Sequence, residues 1–390
     1  MKLKLCLLIL PALVLSACNN DDNSASSFNS VAIVATRAPD YSSGALSAVG
    51  TSAPFTAQNN INPTTSDLAV KADGDHFFMI RRFGANQISR YNAATPTVAT
   101  YTYSTNDSGE SNSNPYDIIV ASPTKAYLIR YGSSTVWIVN PSATSEANFK
   151  IGSIDLSQYD ADGIPEMSAG LIKNGKLYVA MQRLVNAAAT QDGYVAVIDI
   201  ATDTEIATGG AHDGSSLKGI QLPVRDPVRL VSVPNSDAII AVADGGYDGS
   251  FNQQYNGGIV SIIPTGYTTT LLINDGDDTT HLYGSLTDVA LATNDRGYFI
   301  GSAGFFGPQT LYRFNPGSAA APVPVAAYQG LSLGSIAVDP NGQLWVGLTG
   351  DAAPGLSVLG FSGGAETVVK ALINTELTPM NIDFVTAPNN

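Results

Sequence analysis

The sequence predicts an all-β fold, and three observations lead to it. Charged residues make up only 13% of the 390, against 37 Gly and 21 Pro; coiled coils and helical bundles need Glu, Lys and Arg on their exposed faces. No stretch beyond the N-terminal leader keeps a helical apolar period over a dozen residues. A short apolar strand instead recurs seven times, at intervals of 50, 52, 60, 59, 47 and 47 residues. Repeats of that length, each carrying several short strands, are the blades of a β-propeller. The 44% hydrophobic content excludes a disordered chain. The excess of 33 acidic over 19 basic residues disfavours nucleic acid, whose phosphates need a basic surface.

The leader comes first. Lys2 and Lys4 precede an apolar run from Leu5 to Leu15, a length that suits a signal peptide and is too short to span a bilayer. Leu15, Ser16, Ala17 and Cys18 then resemble the lipobox of bacterial lipoproteins. That resemblance implies a signal peptide over 1–17, a diacylglyceryl group on Cys18 and a membrane partner reached through that lipid. Removing 17 of 390 residues leaves 373, with Cys18 as the single cysteine, so no internal disulfide is expected despite an exported address. Residues 18–30 are polar and read as a flexible tether. Asn19 is not the Asp that resembles an inner-membrane retention signal, which implies the outer membrane.

The propeller is expected over 31–390. Its first strands are Asp67 to Val70, Asp117 to Val120, Ala169 to Ile172, Arg229 to Ser232, Asp288 to Leu291, Ser335 to Val338 and Ile382 to Val385. Turn residues follow most of them, as at Asn174-Gly175 and Asn341-Gly342, supplying the positive φ of tight hairpins. Second strands come next, such as Phe77 to Ile80, Leu177 to Ala180 and Leu344 to Val346. The seventh first strand ends the chain with nothing to pair behind it. Val31 to Thr36 and Gly44 to Val49 are the missing second and third strands, so both termini share one blade and close the ring without a free edge.

One blade carries a family likeness. Gly175 to Ala180, then Gly193 to Glu205, resembles the YVTN-type propeller repeat: a Tyr-Val strand, then a strand ending in Ile-Asp and a Thr-rich turn. The resemblance implies the fold and no particular activity. Lipobox and propeller together also resemble surface lipoproteins that capture vitamin B12 or siderophores, an architectural likeness.

Loops that leave second strands, and loops between blades, emerge on one face and are the longer set, where function gathers on a rigid scaffold. Arg37, Arg81, Arg82, Arg130 and Arg183 lie at the ends of second strands in four adjacent blades, five of the ten Arg beyond the leader. Their planar forks suit carboxylate or phosphate, so they are candidate ligand-binding residues. Pairing with nearby acids (Asp155, Asp160, Asp162, Glu166) is the competing reading. Tyr247, Phe251 and Tyr255 in one loop, and Phe305 and Phe306 in another, are candidates for covering a planar or apolar ligand. Asp160, Asp162 and Asp277 cluster hard oxygen ligands that would suit Ca²⁺, though neither loop completes an EF-hand. No cofactor is otherwise expected. The three histidines do not form a metal set, and Gly360 to Gly364 has the letters of a nucleophile elbow around Ser362 without its strand-to-helix turn. Asp67, Asp117 and Asp288 recur near the start of first strands, to line the channel mouth or to cap turns.

No catalytic residue is assigned. The leading expectation is a membrane-anchored, non-enzymatic binding module for a small anionic or planar ligand. A Ca²⁺-dependent lactonase or related hydrolase, as propeller lactonases suggest, and a docking scaffold for a protein partner are the alternatives.

Overall fold

The computed structural model describes residues 30–304, 307–350, 353–362 and 364–386. Seven small antiparallel sheets form a seven-bladed propeller. Numbered from the innermost strand outward, blades 1 to 6 occupy residues 68–104, 115–155, 167–205, 227–274, 285–324 and 333–374. Every first and second strand expected from the sequence is present. Blade 3 gains a fifth segment, Ile220–Gln221, against its third strand Tyr194–Asp199.

Local chemistry explains the hairpins. In blade 3, Met167–Lys173 turns into Lys176–Met181 through Asn174 (φ 50°) and Gly175 (φ 71°). Both central residues are left-handed, which matches the twist of the flanking strands. Gly170 has a different reason to be glycine: a Cβ there would lie 2.2 Å from Ile119 Cδ1 of blade 2.

The seventh blade closes the ring as expected. Its inner strand is the C-terminal Thr378–Thr386, and Ser30–Arg37 pairs with it from Ser30↔Thr386 to Arg37↔Thr378. Gly44–Gly50 and Ala57–Thr64 complete the blade.

The core lies between blades. Each of the seven interfaces holds its own buried cluster, such as Tyr127, Ile129, Leu177 and Val179 between blades 2 and 3. Trp345 of blade 6 packs with Phe55 and Ile382 of blade 7, sealing the closure. Successive side chains on a strand face opposite neighbours, so blade strands are apolar on both faces.

Innermost strands splay around the channel and do not pair with one another. Their channel-side N–H groups need acceptors, and carboxylates supply them. Asp288 accepts from its own Val289 N–H at 2.8 Å and from Ile336 N–H of the next blade at 2.9 Å. Asp117 repeats this with Ile118 (2.9 Å) and Gly170 (3.2 Å), and Asp383 with Phe384 (2.9 Å) and Ala72 (2.9 Å). Asp117 and Asp288 therefore tie blades together rather than line the mouth. Arg229 and Lys71 neutralise Asp288 and Asp117 at 3.2 and 3.4 Å.

Asp288→Ala would orphan two N–H groups and unpair Arg229. We expect a loss of about 2–3 kcal/mol in denaturant unfolding, and a smaller loss for Asp288→Asn, which keeps an acceptor oxygen.

Candidate functional site

The face where second strands end, called the top here, is built by one repeated bond. In five of the seven blades the residue after the second strand donates its N–H to the carbonyl of the residue before the first strand. Arg82 bonds Asp67 (3.1 Å), Tyr131 bonds Asn114 (2.9 Å), Gln182 bonds Glu166 (3.1 Å), Asp244 bonds Asp226 (3.2 Å) and Thr349 bonds Ser332 (2.9 Å). Asn114, Glu166 and Asp226 have φ of 45°, 47° and 57°, a left-handed kink that short polar side chains tolerate best. This bond brings Asp226 and Asp244 together in blade 4, and both carboxyls approach Gly246: its N–H donates to Asp244 Oδ1 at 2.9 Å, and a Cβ there would lie 2.3 Å from Asp226 Oδ2.

Asp226 is buried, and its Oδ1 takes no hydrogen bond from any N–H or hydroxyl. Asp244 Oδ1 accepts from Gly246 N–H at 2.9 Å. Burial first, then the Asp244 charge, pushes the Asp226 carboxyl well above its usual range. Burial raises Asp244 to about 6, less far because backbone N–H groups stabilise its charge. Asp275 and Glu166 are each raised to about 7, again chiefly by burial. Desolvation disfavours the charged form, and a like charge adds to it.

Asp244 also lines a cavity of about 430 Å³ between blades 4 and 7, with Arg37, Tyr41, Tyr247 and Gln253. Hydroxyls of Ser285, Thr287, Ser302, Thr349 and Thr378 complete a polar wall. Ser285 Oγ donates to the Asp244 carbonyl at 2.9 Å, fixing that corner.

The five arginines have five different surroundings. Arg37 donates to Tyr41 Oη at 3.0 Å, stacks over the same ring and has no carboxylate partner among the described residues. Arg81 donates to Ser89 Oγ, and burial lowers its pKa. Arg82 lies over Tyr116 and 3.9 Å from Asp67. Arg130 is fully buried over Trp137, bound to Asp107, Glu110, Thr135 and the Thr105 carbonyl. Arg183 donates to the Tyr159 and Asp192 carbonyls (2.7 and 3.1 Å) and to Gln191 (2.9 Å). The acids that pair with arginines are thus Asp67, Asp107 and Glu110, not the loop 155–166 named from sequence.

The aromatic candidates also separate. Tyr247 lines the cavity, Tyr255 stacks on His281 at 3.8 Å, and Phe251 is 78% exposed at a turn tip. Phe305, Phe306 and Cys18 lie outside the described residues.

The Ca²⁺ candidates are engaged by their own loops. Asp162 accepts from Ile164 N–H (2.8 Å) and Asp160 from Asp162 N–H (3.4 Å). Asp277 accepts from Thr280 and Thr279 N–H (2.8 Å each), which hold its carboxyl below the usual range. Among the described residues no three His, Cys, Asp or Glu side chains are grouped to hold a metal ion. Asp160, Asp162 and Asp277 thus do not assemble with other such side chains into a ligand set among the described residues.

Sequence reasoning missed Asp226, Asp244 and Asp275. The available signal was register: Asp226 precedes the first strand of blade 4 and Asp244 follows its second.

Two outcomes follow from these environments. Arg130→Met strands buried acceptors and should cost about 3 kcal/mol in denaturant unfolding, whereas Arg37→Met should leave stability nearly unchanged. The raised carboxyls bind more protons in the folded chain than in the unfolded one. Their contribution is complete below the unfolded value near 4 and is lost as pH rises through about 6 to 7. Melting temperature should fall between pH 5 and pH 8, and Asp275→Asn should flatten that fall.

The chain matches no protein-family model and no curated protein sequence. Solved structures share its fold. A Bacteroides fragilis protein provisionally assigned as a 6-phosphogluconolactonase is 11% identical, with a TM-score of 0.63 over 93% of this chain and 100% of its own. The periplasmic gluconolactonase PpgL of Pseudomonas aeruginosa is 12% identical, with a TM-score of 0.60 over 92% of this chain and 99% of its own. Virginiamycin B lyase of Staphylococcus aureus is 13% identical, with a TM-score of 0.52 over 81% and 91%. At these identities the likeness is one of fold.

Proposed function

We propose that the protein is an envelope lipoprotein, held to a membrane through Cys18, whose propeller binds a small polyhydroxylated anion in the top cavity. Arg37 carries this reading: a guanidinium without a carboxylate partner among the described residues, facing a polar cavity of about 430 Å³. Its planar fork suits a carboxylate or phosphate, and the surrounding hydroxyl and amide groups suit a ligand rich in hydroxyls.

Topology supports one orientation. Ser30–Arg37 runs from one face to the other, and its Arg37 end lies at the cavity. Eight residues at about 3.3 Å each span about 26 Å. Ser30 is thus on the face opposite the cavity, which favours a cavity that opens away from the anchoring membrane.

A second reading is hydrolysis of the lactone class, with Asp244 supplying acid–base chemistry. The paired carboxyls at the cavity wall favour it, as do the lactonase names of two fold neighbours.

Calorimetry with gluconate and glucuronate at pH 7 tests the binding. We expect saturable binding that Arg37→Met weakens at least tenfold, in line with about 1.5–3 kcal/mol for a charge-assisted contact. No heat with either anion, or equal binding by the variant, would overturn the assignment.

A further inference from the structure

Buried acids along the channel are treated differently. On the inner strands, Asp117 and Asp288 face Lys71 and Arg229. At the top, no cation lies within ion-pair distance of Asp226 or Asp244 among the described residues. The two carboxyls instead meet at Gly246, whose N–H donates to Asp244 Oδ1 at 2.9 Å and where a Cβ would lie 2.3 Å from Asp226 Oδ2; two like charges so placed favour a proton on one of them. Asp226 is the enclosed member, with an oxygen that no other donor reaches. Asp244 is the member that reaches the cavity.

We propose that Asp226 and Asp244 form a proton-sharing pair that opens cyclic esters of polyhydroxylated acids in this cavity, with Asp244 as general base and Asp226 as the holder of the shared proton. The assignment rests on the cavity being the ligand site.

The step balances within the pair. The Asp244 carboxylate takes a proton from a water molecule as the water oxygen bonds to the ester carbonyl carbon. Collapse of the tetrahedral adduct breaks the ring C–O bond, and its electron pair goes to the ring oxygen. That oxygen takes a proton from the pair, which returns to one proton shared between two carboxyls. Lactone and water have become a hydroxy acid, whose carboxylate is left facing Arg37.

Glu166 acts electrostatically on Asp226, Asp244 acts on Asp275, and both carboxyls act on Tyr116, Tyr131 and Tyr247, with Arg82 lying over the Tyr116 ring. Arg37 is the cation of the same cavity. Like charges hold the second proton on the pair, so a single-proton state spans a wide pH range. The base is ionised above about 6, close to the range where proton transfer is most effective.

Hydrolysis of D-glucono-δ-lactone and D-galactono-γ-lactone in a pH-stat, with gluconate binding measured in parallel, tests the assignment. We expect turnover above the buffer rate, with kcat/KM rising through an inflection near pH 6 in the wild-type protein. Asp244→Asn should lower kcat at least a hundredfold while gluconate still binds saturably. Asp226→Asn should abolish or displace the inflection, with its melting curve reporting separately on folding. Wild-type protein that binds gluconate yet opens neither lactone faster than buffer overturns the pair's role and leaves the binding site standing. Wild-type turnover by Asp244→Asn overturns it equally. Absence of gluconate binding together with absence of turnover removes both.

Discussion

Splayed inner strands impose the constraint on which this ring depends. Around a sevenfold channel the first strands diverge, so their inward N–H groups cannot be satisfied by a continuous sheet. Asp117, Asp288 and Asp383 meet the requirement by spending one oxygen on their own strand and the other on the next blade. Each carboxylate is therefore both a strand cap and a blade-to-blade tie. Apolar clusters fill the wedge behind these ties, and the pairing of Ser30–Arg37 with Thr378–Thr386 removes the last free edge. No cysteine falls among the described residues, so within them ties, clusters and strand pairing carry the closure.

The same constraint shapes the site. An acid inside the channel must lose its charge or find a partner, because a lone buried charge is costly. On the inner strands, cations from neighbouring blades answer that need. At the top of blade 4 a second carboxyl and a shared proton answer it. Neutralising acids with protons rather than arginines leaves groups that exchange protons near neutral pH, next to a polar cavity. Charge compensation by protons is thus what distinguishes a candidate reactive mouth from a merely structural channel.

Most of the fold was legible because it depends on period and punctuation. First strands such as Asp288 to Leu291, turns such as Asn174-Gly175 and the unpaired last strand each state a local rule. Together they determine seven blades and the shared one. The site was less legible because it depends on which residues meet across two strand ends. Asp226 and Asp244 are eighteen positions apart and belong to no motif; only the carbonyl bond across the ends of blade 4 brings them together. Nothing in the letters separates Asp277, whose carboxyl serves its own turn, from Asp275, whose carboxyl is buried.

The arginines show why position in a repeat is not yet position in a site. Arg37, Arg81 and Arg130 share one register, each opposite the first residue of an inner strand: Thr378, Leu68 and Pro115. Arg82 is one residue beyond, and consecutive residues point to opposite faces. Arg183 lies two beyond Met181, the residue of blade 3 in that register. What the link before each inner strand does with its acids separates two of the three that match. Before blade 2 the link covers 105–114, and it folds Thr105, Asp107 and Glu110 over Arg130. Before blade 7 the link is 375–377, and its one acid, Glu376, accepts from Asn60 Nδ2 instead of covering Arg37. Link length alone does not decide the outcome: blade 1 is also preceded by three residues, 65–67, and Arg81 there is held by Ser89 and by burial. The Arg37 fork is left to the cavity because the carboxylate nearest in sequence to its partner strand is spent on Asn60.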